Sequence, residues 1–207
     1  MADLSELARL GTATVYEARG RRGLIDAELV QLTPGSRVAA PARTVLCAQD
    51  DNRGVHELCA RIQPGEIAVL AMPEARPVAL IGDLLVTQLR RAGAVAILAD
   101  SSVRDVEELR DMGIPIWTRW VRARGAGKET RGEVDAEVTI GGAPINSGDI
   151  VVLDADGGVV VPAADADLAL EQSLAREQKE SVLRKRWRSG ELSYDAYGFR
   201  AQDEGEN

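Results

Sequence analysis

Short apolar runs, each closed within a few residues by glycine, proline or aspartate, constrain most strongly what this chain can fold into. Residues 67–71 (Ile-Ala-Val-Leu-Ala), 77–81, 95–99, 150–153 and 159–161 are bounded by turn residues and too short for core helices. They read as strands, with 95–99 buried. Helical spacing falls between some of them. Residues 4–19 carry it with a break at Gly11, and Asp50-Asp51-Asn52 caps a helix running to about Ile62. Another helix opens at Gly82-Asp83 and ends between Arg91 and Gly93, and a short one covers 106–112. Further strands are expected at 38–40 and 44–48, separated by Pro41, and at 114–118, interrupted by Pro115. From 137 onward, strands follow one another through turns at 141–142, 147–149 and 156–158. A long helix then runs from Asp165 to about Ser189 and stops at Gly190. Alternating α and β units followed by consecutive hairpins make an α/β fold with a mixed sheet, not a doubly wound one. One domain over 1–207 accommodates all of this, with 165–207 as a C-terminal helix and a tail ending Asp203-Glu204-Gly205-Glu206.

Composition removes several chemistries. With a net charge of -8, nonspecific binding to nucleic acid or to an anionic membrane is not expected. No apolar run approaches the roughly 20 residues of a membrane span, and residues 1–6 lack a basic stretch followed by an apolar one, so a cytoplasmic location is expected. Cys47 and Cys59 lack Cys-x-x-Cys spacing and are expected to be free, buried thiols. The three lysines are Lys128 in a glycine-rich loop and Lys179 and Lys185 on the charged C-terminal helix. None reads as the desolvated amine a Schiff base requires. His56 is the single histidine, which excludes His-based zinc sites; one turn after Asp51-Asn52, it reads as a capped, hydrogen-bonded side chain.

Several motifs dissolve on inspection. Gly125-Ala126-Gly127-Lys128-Glu129 departs from a phosphate-binding loop at both ends, with Arg122 in place of the first glycine and Glu129 in place of Ser or Thr. Residues 122–133 are therefore expected to form a mobile polar loop. No Gly-x-Gly-x-x-Gly turn supports a nucleotide or S-adenosylmethionine site. Arg184-Lys185-Arg186-Trp187-Arg188 reads as a solvated helix end with Trp187 packed inward. Asp154 and Asp156 lie in a hairpin turn too short for a calcium loop.

The chemistry concentrates in Asp83 and in the pair Arg104-Asp105. A helix starts at Asp83 and a strand exits just before Arg104, so the three side chains are expected on one edge of a sheet. Backbone N–H groups at Gly82, Asp83, Leu84 and Leu85 are free to receive a carboxylate. Arg104 can clamp an enolate or keto oxygen, and Asp105 can bind a divalent cation. A helix cap with an ordinary salt bridge is the competing reading.

Together with Thr12-Ala13-Thr14-Val15, Asp51-Asn52 with His56, Pro64-Gly65-Glu66, Gly148-Asp149-Ile150-Val151-Val152 and Asp156-Gly157-Gly158-Val159-Val160-Val161-Pro162, this signature resembles the RraA-like family. Asp83, twenty residues, then Arg104-Asp105 is its most specific part, and Gly190 to Arg200 resembles the C-terminal extension of the family's class II pyruvate aldolases. The resemblance implies a β/β/α swivelling-type domain with a C-terminal helical extension. It implies a homotrimer or dimer of trimers, with active sites between subunits that use Mg²⁺ or Mn²⁺. The implied substrate is a 4-hydroxy-2-oxo acid, cleaved through an enolate to pyruvate or a related 2-oxo acid, with oxaloacetate decarboxylation as a side activity. Asp105 would ligate the metal directly and Asp83 through water, while Arg104 would stabilise the enolate. Residues 82–85 would receive the substrate carboxylate, and Glu177 or Glu180 would reach the site from a neighbouring subunit. The alternative within the family is a noncatalytic regulator that binds a ribonuclease.

The chain departs from the family pattern at Ala79, where a glycine is usual, and at Glu17, where an aspartate is usual. A serine of the pair Ser101-Ser102 replaces a glycine, and Trp117 and Trp120 add bulk. Substrate identity is expected to turn on these positions.

Overall fold

The computed structural model describes residues 2–205, so Glu206 of the acidic end lies outside the described residues. In chain order the elements are α1 (Leu4–Leu10), α2 (Thr12–Ala18), β1 (Leu24–Ile25), β2 (Val30–Gln31), β3 (Val38–Leu46), α3 (Arg53–Leu58), β4 (Ile67–Ala71), β5 (Ala79–Ile81), α4 (Asp83–Ala92) and β6 (Ala96–Val103). They continue with α5 (Val106–Met112), β7 (Ile116–Val121), β8 (Glu133–Val134), β9 (Val138–Ile140), β10 (Ala143–Ile145), β11 (Ile150–Asp154), β12 (Gly157–Val161), α6 (Ala166–Arg188), α7 (Ser193–Ala196) and α8 (Phe199–Gly205).

A ten-stranded sheet runs in the order β1-β12-β11-β3-β4-β6-β7-β2, with β5 on β6 and β8 on β3. The expected interruption at Pro41 does not occur, because β3 serves two ladders in succession. Residues 38–41 pair antiparallel with β11, and residues 42–46 pair parallel with β4. Pro41 stands at the handover, where a missing N–H costs the sheet least. Strand β6 also outruns its apolar stretch, passing through Asp100, Ser101 and Ser102, all of them buried. Polar residues inside a covered strand hide it from a reading based on hydrophobic runs. Helix α3 ends at Leu58, four residues short of expectation, β10 fills the stretch between the turns at 141–142 and 147–149 where no strand is expected, and the tail folds into α7 and α8.

Three apolar clusters hold the layers together. Leu58, Leu80, Leu89, Ile97 and Ile116 pack α3, α4 and α5 on one face of the parallel strands. Val69, Leu98 and Trp117 pack the β9–β10 hairpin residues Val138, Ile140 and Ile145 on the opposite face. Leu7, Val15, Val152, Val161 and Ala169 join α1, α2 and α6 to the antiparallel strands. The result is hairpin, sheet and helices in layers. Asp154 anchors the N-terminal helices: its carboxylate accepts from the Thr12 N–H at 2.9 Å and the Thr12 hydroxyl at 2.5 Å. Gly11, with φ 83°, makes room for it, since a Cβ there would stand 2.7 Å from Oδ2.

The sheet carries one costly carboxyl. Asp100 is 6 % exposed, its Oδ1 lacks a hydrogen-bond partner, and the Arg119 Nε stands 3.7 Å away. Burial pushes its carboxyl above the ordinary value, and Arg119 only partly opposes this. A raised folded-state value means that the favourable contribution is complete below the unfolded value and is lost as pH rises through the folded one. Asp100→Asn therefore flattens the pH dependence of unfolding free energy above about pH 4. Urea melts across the weakly acidic range check this, and an unchanged slope would count against it.

The thiols are free as expected, but only Cys47 is buried and Cys59 is half-buried. Burial pushes Cys47 up to about 12 and Cys59 up to about 11. Trp187 does not pack into the body: it is 37 % exposed and meets Tyr197 edge-on at 6.3 Å. Only Ala169 and Ser173 of α6 are buried, so the far half of that helix has no core to enter. No helix among the described residues is long and apolar enough to cross a membrane.

Candidate active site

The parallel strands β5 and β6 end side by side, and their exits carry the predicted trio. Ligand sites in sheets of this kind lie outside the carboxyl ends of strands, where loops and helix N-termini converge. Here β5 delivers Gly82 and the first turn of α4, and β6 delivers Arg104 and Asp105. The Arg104 N–H donates to Ile81 O at 3.2 Å, tying the two exits together. Asp105 adopts φ 58° and ψ 44°, a left-handed conformation that aspartate tolerates better than most residues. Its Oδ2 accepts from the Asp83 N–H at 3.2 Å and lies 3.5 Å from Arg104 Nε. Asp83, Arg104 and Asp105 are thus brought together as the sequence predicted.

Glycine makes the approach possible. A Cβ on Gly82 would stand 2.2 Å from Asp105 Oδ2 and 3.1 Å from Arg104 Cγ, and one on Gly125 would stand 2.8 Å from Arg104 Nη1. Gly82→Ala displaces the Asp105 carboxylate from the helix start. We expect activity to fall by about 10²-fold through misplacement with little change in Tm; a melt alongside a rate measurement separates this from unfolding.

A cleft of about 280 Å³ opens beside these residues, with Asn52, His56 and Lys128 on its other walls. Sequence reasoning missed all three. His56 is exposed and its imidazole makes no hydrogen bond among the described residues, so the expected hydrogen-bonded side chain is corrected to a pocket-lining one. Its turn of helix is capped by Asp51, whose Oδ1 accepts from the Arg53 N–H at 2.9 Å. Asn52, 7 % exposed, is thereby free to donate Nδ2–H to Leu80 O at 2.9 Å, leaving its own Oδ1 buried and without a partner. An unpaired buried acceptor at a cleft is a group prepared for a donor.

The glycine-rich loop, expected to be mobile, is instead stitched to the sheet. The Ala79 N–H donates to Arg124 O at 2.7 Å, Gly127 N–H to Asp50 O at 2.8 Å and Asn52 N–H to Gly127 O at 2.9 Å. The loop is a wall of the cleft. Its lack of apolar periodicity left no signal of this, because backbone bonds, not side chains, hold it.

Among the helix-start N–H groups, Asp83 is already engaged by Asp105, whereas Leu84 and Leu85 have no hydrogen-bond partner among the described residues. Those two, at the positive end of α4, are available to a carboxylate. No group of three His, Cys, Asp or Glu side chains forms a metal cage among the described residues. The Asp105 carboxylate, at the start of α4 where Asp83 lies, is a donor of the kind Mg²⁺ or Mn²⁺ accepts, since hard cations of this size take one or two carboxylates and keep several waters.

Other expected determinants lie elsewhere. Glu177 pairs with Arg9 at 2.7 Å, and this guanidinium holds its carboxyl below the usual range. Glu180 pairs with Arg176 and Arg184. Neither glutamate lines the cleft. Trp117 is buried on the opposite face of the sheet, donating Nε1–H to Asp154 O at 2.8 Å, and Trp120 stacks under Arg119. Ser101 and Ser102 are fully buried in β6. Neither the tryptophans nor the serines line the cleft, so the expectation that they select substrate is corrected; Ala79 does line it.

Comparison with known proteins places the chain in a family. A family model described as RraA-like, Aldolase/RraA, matches residues 3–161. The chain belongs to the RraA-like family. A Halalkalibacterium halodurans protein named "Putative 4-hydroxy-4-methyl-2-oxoglutarate aldolase" is 25% identical over 183 residues, 88% of this chain and 87% of that protein. Among solved structures, Streptomyces coelicolor RraAS2, described as an unusual member of the RNase ES inhibitor RraA protein family, is 29% identical with a TM-score of 0.76, covering 88% of this chain and 96% of that one. An uncharacterized Pseudomonas syringae pv. tomato protein shares the fold at TM-score 0.81 and 24% identity, over 94% of this chain and 92% of that one. The mixed α/β architecture with its C-terminal helix is the RraA-like fold.

Proposed function

We propose that this chain is a divalent-metal-dependent aldolase that cleaves a 4-hydroxy-2-oxo acid to pyruvate or a related 2-oxo acid, with oxaloacetate decarboxylation as a side activity. The observation that carries the reading is the convergence of Arg104 and the free N–H groups of α4 on one cleft, with the Asp105 carboxylate at its edge in contact with Arg104 and the Asp83 N–H. The N–H groups of Leu84 and Leu85 receive the substrate carboxylate, and the Arg104 guanidinium faces the 2-oxo oxygen. Mg²⁺ or Mn²⁺ held by Asp105, with Asp83 beside it, would supply Lewis-acid polarisation of the 2-oxo group. The C3–C4 bond breaks, its electron pair moving onto the pyruvate fragment as an enolate. The C4 hydroxyl gives its proton to solvent water in the open cleft as it becomes the second carbonyl, and the C3 enolate carbon takes a proton back from water, so the net reaction transfers one proton from oxygen to carbon. Arg104 matches the growing negative charge on the enolate oxygen. Asn52 Oδ1 is available to accept from a substrate hydroxyl.

The name of the Halalkalibacterium halodurans relative supports this reading. Its test is coupled pyruvate release over a panel of 4-hydroxy-2-oxo acids, with EDTA and with added Mg²⁺ or Mn²⁺. Release that EDTA abolishes and metal restores is expected; no release from any member, metal present, would sink the assignment. A homotrimer or dimer of trimers belongs to the same reading, with Glu177 or Glu180 of a neighbouring α6 exchanging its present arginine for the site. Light scattering of the purified protein and the activity of E177Q and E180Q test that part.

A second reading, a noncatalytic ribonuclease regulator, is favoured by the likeness to Streptomyces coelicolor RraAS2. Inhibition of a ribonuclease by a protein inactive on every oxo acid would reverse the ranking.

A further inference from the structure

Asp51 lies at the junction of the two walls that face the Arg104 trio, yet it touches neither the cleft nor any other charged side chain closely enough to form an ion pair. It is 6 % exposed, and its carboxylate is filled by backbone alone. Oδ1 accepts from the Arg53 N–H at 2.9 Å, while Oδ2 accepts from the N–H groups of Glu129 at 2.7 Å and Thr130 at 3.2 Å. The first bond starts α3 and releases Asn52 from capping. The other two seize the loop immediately after Lys128, whose preceding residue, Gly127, is held by the Asp50 carbonyl. A Cβ on Gly127 would stand 3.0 Å from Asp51 Oδ2, so a side chain there would press on this contact. Burial by itself would push the Asp51 carboxyl up, but the three N–H groups outweigh it and hold the group below the ordinary range.

We propose that Asp51 is a positioning residue that locks Lys128 and Asn52 as one rigid wall of the cleft. One carboxylate with two oxygens aimed in different directions couples an α3 start to a loop 78 residues away in sequence. Lys128, exposed and without an ion pair among the described residues, is thereby presented to the cleft by a fixed backbone. Its consequence for turnover rests on the aldolase reading; the placement of the loop does not.

Asp51→Asn keeps the shape and an acceptor for Arg53, but turns an amide N–H toward the N–H groups of Glu129 and Thr130. In the metal-free protein, hydrogen exchange at the amides of Glu129 and Thr130 is expected to rise about tenfold or more, as loss of a charge-assisted bond implies, while exchange in α6 is unchanged. Kinetically, KM for the oxo acid rises about tenfold with kcat within about twofold, the signature of lost ground-state and transition-state binding alike. Lys128→Ala raises KM similarly, and the double variant falls well short of the sum of the two, because D51N already displaces the lysine that K128A removes. If D51N does not fold, Glu129→Pro deletes the shorter donor from the loop side and is expected to reproduce the KM change. Unchanged exchange at 129–130, or additive effects of D51N and K128A, would overturn the proposal. If the wild-type protein releases no pyruvate, the proposed function falls and the exchange measurement alone decides the positioning role.

Discussion

On the proposed aldolase reading, Arg104→Ala is expected to lower kcat/KM for pyruvate release by about 10²–10³-fold, the effect of removing a principal donor to a developing oxyanion. The guanidinium is half exposed at the cleft, and its Nε lies 3.5 Å from Asp105 Oδ2, so little of its environment is devoted to folding. Tm is accordingly expected to stay close to that of the parent. Arg104→Lys recovers little, because an ammonium cannot reproduce a planar fork pointed at both Asp105 and the substrate oxygen. Rates measured at saturating metal separate this loss from weakened cation binding. Turnover at the parental rate by R104A with metal present would remove Arg104 from the chemistry, and the aldolase assignment with it.

Trp117→Ala has the largest expected effect on stability. The side chain is 1 % exposed, packs with Leu98 and the β9–β10 hairpin, and donates to Asp154 O. Truncating a buried tryptophan costs about 3–5 kcal/mol, which in a chain of this size lowers Tm by about 10 °C. Trp117→Phe keeps most of the packing and forfeits chiefly the indole hydrogen bond, about 1 kcal/mol. The folded fraction of either variant is expected to keep the parental order of substrate preference, since Trp117 lies on the far side of the sheet from the cleft. A changed preference without a fall in Tm would restore Trp117 as a substrate selector and refute its place in the core. Thermal melts and the oxo-acid panel together distinguish the outcomes.

The parts of the fold legible in the sequence were those with strong local signals. Helix α4 runs from Asp83 to Ala92 with left-handed Gly93 closing it, and α5 occupies 106–112, both as their caps indicate. Strand β3 was misread because proline is a local signal whose cost depends on which ladder its missing N–H faces. The polar end of β6 was missed because burial of Asp100, Ser101 and Ser102 comes from neighbouring strands. For the site the division was similar. A helix start and a strand exit reveal the trio, but His56 lacks the cap partner its position suggests, and nothing in the residues of the Lys128 loop signals its attachment.

What the sequence determined by itself was the trio of Asp83, Arg104 and Asp105. Two capped elements separated by a short buried strand leave few ways to keep them apart, because parallel β5 and β6 end on the same edge. Tertiary structure alone decided the opposite wall. Asn52, His56 and Lys128 converge there through Asp51 and a series of backbone hydrogen bonds. Backbone groups are the same in every residue, so such bonds leave no trace in a sequence until the chain is folded.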